Sequence, residues 1–322
     1  MRHILITGAA GFIGSHVAER LIARGDRVVG LDDFNDYYDP AIKRENARIL
    51  GATGAYQQIE GDIRDSRAVR DAFEAAPVDA VIHLAARAGV RPSVEQPALY
   101  TDVNLTGTAL LLEGARARGV ERFVFASSSS VYGGNTITPF REDHPVENPI
   151  SPYAATKRAG ELLCSTYHHL YSATGALAHL PCLRFFTVYG PRQRPEMAIS
   201  KFTALLLAGQ PIPMFGDGTT LRDYTFIRDI VDGVVGALDK AQGYGIYNLG
   251  GEDPVRLDAL IAAIGAAVGV EPTIERLPMQ PGDVTVTSAD CAKARADLGY
   301  APTISIEEGV RRYVAWHREH RA

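Results

Sequence analysis

Short runs rich in β-branched residues punctuate the first half of the chain: HILIT (3–7), RVVGL (27–31), AYQQIE (55–60), AVIHLA (80–85) and RFVFAS (122–127). Each has the length of a strand and is followed by a segment with helical spacing. Between the first two runs, Ile13, Val17 and Leu21 recur every four residues, which lays one apolar stripe along a helix while Arg20 and Arg24 point elsewhere. Gly25 then ends that helix. Near-continuous apolar runs predict strands buried on both faces, so the fold class is α/β, a doubly wound parallel sheet with helices on either side.

Beyond about Arg184 the rhythm loosens. Loops at GPRQRP (190–195), FGDGTT (215–220) and PMQPGD (278–283) separate helices predicted over Ile227 to Lys240, Val255 to Val268 and Ile306 to His317, the last with the only tryptophan, Trp316. No repeat or flexible linker marks a boundary, and 322 residues exceed a typical single domain. We therefore expect a first domain over 1–183 and a smaller C-terminal α/β substrate lobe over 184–322, with short segments of the second returning to the first sheet.

Composition narrows the chemistry. A net charge of −5 and a pI near 6.0 give no footprint for nucleic acid. Cys164, Cys182 and Cys291 lack metal-ligand or C-x-x-C spacing, so they read as small buried hydrophobes, no metal is expected, and a reducing cytoplasm fits. The longest apolar stretch, Leu257 to Val270, contains Asp258 and falls short of the ~20 residues that cross a bilayer. No membrane association is expected, and Met1 to Gly14 suits a strand and turn better than a signal peptide.

Gly8, Gly11 and Gly14 form G-x-x-G-x-x-G between the first strand and the first helix. In that position glycines allow a tight turn, close approach of a pyrophosphate, and packing of helix on strand, while the helix N-terminus offers free N–H groups. Asp32 ends the second strand where an acid would accept the adenosine ribose hydroxyls and repel a 2′-phosphate, so the expected cofactor is NAD and the fold is of Rossmann type. Asp33 is the lesser candidate. Asp62 is either an adenine contact or a helix N-cap, and Ala85, Ala86 and Arg87 follow the fourth strand at the pyrophosphate and ribose. Phe12, Ile13, Asn35, Ile63 and Leu84 complete the expected cofactor contacts. No phosphate loop of the nucleotide triphosphatases is present.

Tyr153 and Lys157 stand at i and i+4 in PYAATKRAGE, so on a helix they share one face. An ammonium and a positive nicotinamide ring near a phenol stabilise phenolate, which makes Tyr153 a usable base. An exposed surface pair is the plainer reading, but FASSSSVYG lies upstream at the fifth strand's end, the edge where open α/β sheets bind ligands. Ser127 is expected to satisfy loop backbone groups; Ser128, Ser129 and Ser130 are expected to serve the site.

GAAGFIG, SSSSVYG and the Y-x-x-x-K helix, in that order, resemble the extended short-chain dehydrogenase/reductases that act on nucleotide sugars. More narrowly, DDFNDYYDPAIKR, AGVRPSVEQP, NLTGT, LRFFTVYGPRQRPEMA, FGDGTTLRDYTFI and MQPGDV resemble UDP-glucuronate 4-epimerases. The resemblance implies Tyr153 as the proton-transferring residue, Lys157 on the cofactor ribose, Ser128 at the C4 oxygen, and Ser129 and Ser130 facing the sugar. It also implies Thr187 near the nucleotide, Arg194 as a clamp on carboxylate or phosphate, Arg222 on the pyrophosphate, and Asp283 on the UDP ribose. Two departures stand out: Arg87 replaces the Gln common in the family's AQAGV segment, adding a cation that is expected to contact the substrate and alter its preference, and GALAHLPC (175–182) is longer than usual.

The implied reaction is reversible C4 epimerisation of UDP-glucuronate to UDP-galacturonate through a 4-keto intermediate. The alternative is a UDP-glucose/galactose 4-epimerase. Dehydratases place an acidic pair before VYG and decarboxylating synthases a Glu at the position of Ser130, where this chain has serines. A catalytically silent NAD-binding sensor would keep the glycines but has no need of the Tyr153 and Lys157 pair. The resemblance further implies a homodimer through helices near Leu105 to Arg118 and Ala154 to Tyr171.

Overall fold

The computed structural model describes residues 1–278 and 285–321. The five predicted runs are strands β1 (His3–Thr7), β2 (Arg27–Asp32), β3 (Tyr56–Glu60), β4 (Ala80–His83) and β5 (Arg122–Ser128), followed by β6 (Leu180–Phe185). Short strands β7 (Thr187–Tyr189), β8 (Ile212–Phe215) and β9 (Leu221–Phe226) leave the sheet, β10 (Tyr244–Leu249) rejoins it, and β11 (Pro254–Arg256) and β12 (Ile274–Leu277) follow. Among the described residues the main sheet has seven strands in the order β10-β6-β5-β4-β1-β2-β3, all parallel. Strand β6 spans residues 183 and 184, and β10 pairs along its whole length, so the second half of the chain completes the sheet begun by the first.

Helices α1 (Phe12–Ala23), α2 (Pro40–Gly51), α3 (Ser66–Glu74), α4 (Val90–Glu95) and α5 (Pro97–Thr101) precede a π-helical turn at Asp102–Thr106 that runs into α6 (Gly107–Ala117). The others are α7 (Pro152–Tyr171), α8 (Ala198–Leu207), α9 (Ile227–Lys240), α10 (Leu257–Val268), α11 (Ala292–Leu298) and α12 (Ile306–His320). Helix α9 has its predicted bounds. Helix α10 starts at Leu257, later than the apolar pattern suggests, because Pro254 to Arg256 pair antiparallel with β9. Helix α12 runs on to His320.

Alternation along the strands sorts the core into two layers. Ile4, Ile6, Val28, Ile82 and Val124 face one side, in a cluster continuous with buried residues of α9, α10 and α12. Leu5, Val29, Leu31, Val81, Phe123 and Phe125 face the other, against α3, α6 and Cys164 of α7. All three cysteines are free and buried, and among the described residues no helix is long and apolar enough to cross a membrane. Because the strands are parallel, the loops after β1, β2, β4, β5 and β6 open at one edge, where ligands of such sheets bind.

Candidate active site

A cleft of about 480 Å³ opens at that edge. The glycine turn forms its floor. Gly8 adopts φ +69°, and a Cβ there would lie 2.9 Å from the Ala85 nitrogen. A Cβ on Gly14 would lie 2.1 Å from the Gly8 carbonyl oxygen. Gly11 caps α1 without a side-chain hydrogen bond, which leaves the first N–H groups of the helix to an incoming anion. Phe12, Ile13, Leu84, Ala85 and Ala86 line the same space.

Asp32, buried at the end of β2, accepts from Ala10 N at 3.2 Å and Phe34 N at 3.0 Å. Its third partner was not foreseen: the buried Lys43 ammonium of α2 lies 3.3 Å from Asp32 and 3.8 Å from Asp33. Burial holds the Asp32 carboxyl above its ordinary range, with Lys43 pulling in the opposite direction. Helix α2 is set for this contact by Asp39, whose carboxylate accepts from Ala41 N at 2.9 Å ahead of Pro40. Asn35 reaches the cleft beside Asp33. Asp62 and Ile63 line it as well, and the cap of α3 is Asp65, not Asp62. Asp62 instead pairs with Arg64, whose hydrogen bonds outweigh desolvation and hold its carboxyl low. A glycine floor without side chains, open helix N–H groups and a ribose-side acid fit a dinucleotide with an unsubstituted 2′-hydroxyl.

Helix α7 supplies the reactive pair. Ser151 caps it by accepting from Ala154 N at 3.1 Å, Pro152 begins it, and Tyr153 and Lys157 follow one turn apart on the cleft side. The Lys157 ammonium donates to the Ala126 carbonyl at 2.8 Å and stands 5.2 Å from the Phe125 ring centroid. Burial lowers its pKa to about 8. The Tyr153 phenol is held above its ordinary value by burial, against a hydrogen bond with Ser128 and the charge of Arg194. In the protein alone, then, burial outweighs the stabilisation of phenolate expected from sequence. Tyr100 packs edge-on against Tyr153, its centroid 6.3 Å away.

The serine run divides by partner. Ser127 does not serve loop backbone groups as expected; its hydroxyl donates to the buried Glu161 at 2.6 Å. Ser128 Oγ accepts from Ser130 N at 3.1 Å, and Ser128, Ser129 and Ser130 all line the cleft. So do Arg87, Thr187 and Arg194. Arg222 lies on β9, outside the residues lining this cleft, and Asp283 lies outside the described residues.

Several supporting groups were not among the residues singled out from the sequence. Glu161, four residues after Lys157, is held by Arg184 of β6 at 2.8 and 3.0 Å. His83 bridges Thr7 (2.7 Å) and Thr108 (2.9 Å), and burial lowers its pKa to about 3, so it is neutral. Asn104, in the π-helical turn, brackets the backbone of Arg87 and donates to Thr156 at 3.0 Å. NLTGT marks the last of these; the others depend on residues distant in sequence. Among the described residues no cluster of side chains suits a metal.

Residues 4–250 match the NAD dependent epimerase/dehydratase family. The chain is 44% identical over 320 residues to a UDP-glucuronate 4-epimerase of Thermodesulfobacterium geofontis, covering 99% of this chain and 97% of that protein. It superposes with TM-score 0.89 on the UDP-glucuronic acid 4-epimerase of Bacillus cereus solved with UDP-glucuronic acid and NAD, at 35% identity over 98% of this chain and 99% of that one. A UDP-glucose 4-epimerase of Thermotoga maritima, solved with UDP-glucose, gives the same TM-score at 32% identity, over 98% and 99% of the two chains. Sheet order, glycine turn and these similarities together make the chain a member of the NAD dependent epimerase/dehydratase family.

Proposed function

We propose that the chain is a UDP-glucuronate 4-epimerase, interconverting UDP-glucuronate and UDP-galacturonate through a 4-keto sugar. The observation that carries this reading is the convergence of Tyr153, Ser128 and Lys157 on one cleft whose floor is the glycine turn. When bound, NAD supplies the two-electron acceptor for C4 and a positive charge beside the Tyr153 phenol. Tyr153 takes the C4 hydroxyl proton and returns it after the ketone has presented its other face. Ser128 holds the C4 oxygen toward Tyr153, and Lys157 keeps a cation next to the ribose and phenol.

With a carboxylate at C6 the intermediate is a β-keto acid, which loses carbon dioxide readily when the bond joining the carboxylate to the ring lies parallel to the carbonyl π orbitals. Ser129, Ser130, Thr187 and Arg194 hold the acid group out of that alignment. Fixed donors in a water-poor site act strongly, and loss of one is worth on the order of 2 kcal/mol or more. Arg222 and Asp283 serve the UDP moiety. A homodimer is part of the proposal: Leu162 and Leu170 on α7 are 52% and 56% exposed, two turns apart on one face, as a helical interface requires. A cytoplasmic site suits three buried, unpaired cysteines.

The test is incubation with UDP-glucuronate and, separately, UDP-glucose, following the anomeric proton signals by NMR. Equilibration of the uronate with its C4 epimer is expected. If only UDP-glucose equilibrates, the uronate reading fails.

A further inference from the structure

Two arginines share one tyrosine ring at the mouth of the cleft. The guanidinium carbons of Arg87, after β4, and Arg194, after β7, lie 5.5 and 5.3 Å from the centroid of Tyr37. Tyr37, after β2, is anchored by its phenol, which donates to the Ala88 carbonyl at 2.7 Å. Arg87 is anchored by its backbone: its N–H donates to Asn104 Oδ1 at 2.8 Å, and Asn104 Nδ2 donates to its carbonyl at 3.0 Å. Three loops thus meet across the opening.

The two cations differ in their partners. Arg194 has Glu196 at 3.3 Å. Arg87 bears electrostatically on Asp62, but both Asp62 oxygens are taken by Arg64. Among the described residues Arg87 has no salt bridge of its own. Stacking engages the face of a guanidinium and leaves its N–H edge to donate. Two like charges near one ring repel each other unless an anion enters between them.

The position says which anion. Ala85, two residues before Arg87, abuts the glycine turn so closely that a Cβ on Gly8 would stand 2.9 Å from its nitrogen. Arg87 lines the same cleft as that turn and the N-terminus of α1. We propose that Arg87 is an anion-binding residue of the cofactor groove, donating to a phosphoryl oxygen of the dinucleotide from the side opposite the α1 N-terminus, with Tyr37 and Arg194 as its brace. A planar guanidinium fork suits a phosphoryl group, and a cation on each side of the pyrophosphate retains the dinucleotide through repeated turnovers. The inference deepens the proposed function and shares its assumption that a dinucleotide occupies the cleft. The sugar's C6 carboxylate is the other source of an oxyanion.

The test compares wild type, Arg87→Gln and Arg87→Lys, with circular dichroism to establish that each folds. Dinucleotide retained after gel filtration is released by denaturation and measured by absorbance, at low and high salt, without turnover. Arg87→Gln is expected to lose NAD roughly tenfold faster or more, Arg87→Lys less so, and the gap to narrow in salt. With NAD saturating, KM for UDP-glucuronate and UDP-glucose should shift together or not at all. Normal retention with a KM rise confined to UDP-glucuronate would move the contact to the sugar acid and overturn the phosphoryl assignment. Unchanged retention and unchanged KM would overturn it outright. Because retention is read without substrate, it does not depend on which UDP-sugar is turned over.

Discussion

Replacing Glu161 with alanine removes an acceptor on which strand and helix converge behind the site. Its carboxylate takes Ser127 Oγ at 2.6 Å, Arg184 Nε and Nη2 at 2.8 and 3.0 Å, and Arg158 Nη1 at 3.0 Å. The Arg158 contact is 28% exposed on the arginine side and contributes less than about 1 kcal/mol. The Arg184 contact decides the outcome, because its side chains are 1% and 0% exposed. Among the described residues Arg184 already has one terminal nitrogen, Nη1, without a hydrogen-bond partner, and its guanidinium stacks 4.8 Å from the Tyr132 ring centroid. Deleting the carboxylate strands a buried cation, which costs about 3–5 kcal/mol. Against a typical stability of ~5–15 kcal/mol the variant would be marginal. Urea unfolding followed by Trp316 fluorescence and by circular dichroism, with coincident transitions, gives the difference. The double variant Glu161→Leu with Arg184→Met removes both charges of the pair and should be less damaged than Glu161→Ala alone. A Glu161→Ala protein within about 1 kcal/mol of wild type, or a double variant worse than the single, would refute the reasoning.

Tyr153→Phe should keep fold and bound NAD while turnover falls roughly 10²–10⁴-fold, and near-normal activity would overturn the proton-transfer role. Burial lowers Lys157 to about 8 from an ordinary 10.5, so between those values the unfolded chain binds more protons than the folded one. The stability of cofactor-free protein relative to Lys157→Met should therefore be flat below about pH 8 and rise from there toward 10.5, in urea midpoints taken against pH; a fall over that range contradicts the burial argument. Gly14→Ala places a methyl 2.1 Å from the Gly8 carbonyl oxygen, so NAD should no longer co-purify, and ordinary co-purification would show that the turn relaxes freely.

Where the chemistry lies on contiguous residues, it could be read directly. The strands of the first half, the glycine turn, Asp32 and the Tyr153 and Lys157 pair all follow from local spacing, and the structure brings them to one edge. What could not be read joins distant positions: Lys43 meets Asp32 across a loop, Arg184 meets Glu161 across the sheet, and Tyr37 meets both Arg87 and Arg194. Ser127 shows the same limit. As one of four adjacent serines at a strand end it is expected to satisfy loop backbone groups, yet the group it serves is a carboxylate from α7. The return of β10 to the sheet is also settled by pairing with β6 and not by its own pattern.

UDP-glucuronate carrying deuterium at C4 tests the central claim most directly. If hydrogen leaves C4 to a bound carrier and comes back to the same carbon, the galacturonate epimer formed in ordinary water keeps its C4 deuterium, as read by NMR and mass. Loss of that label to solvent as the epimer appears would contradict the account.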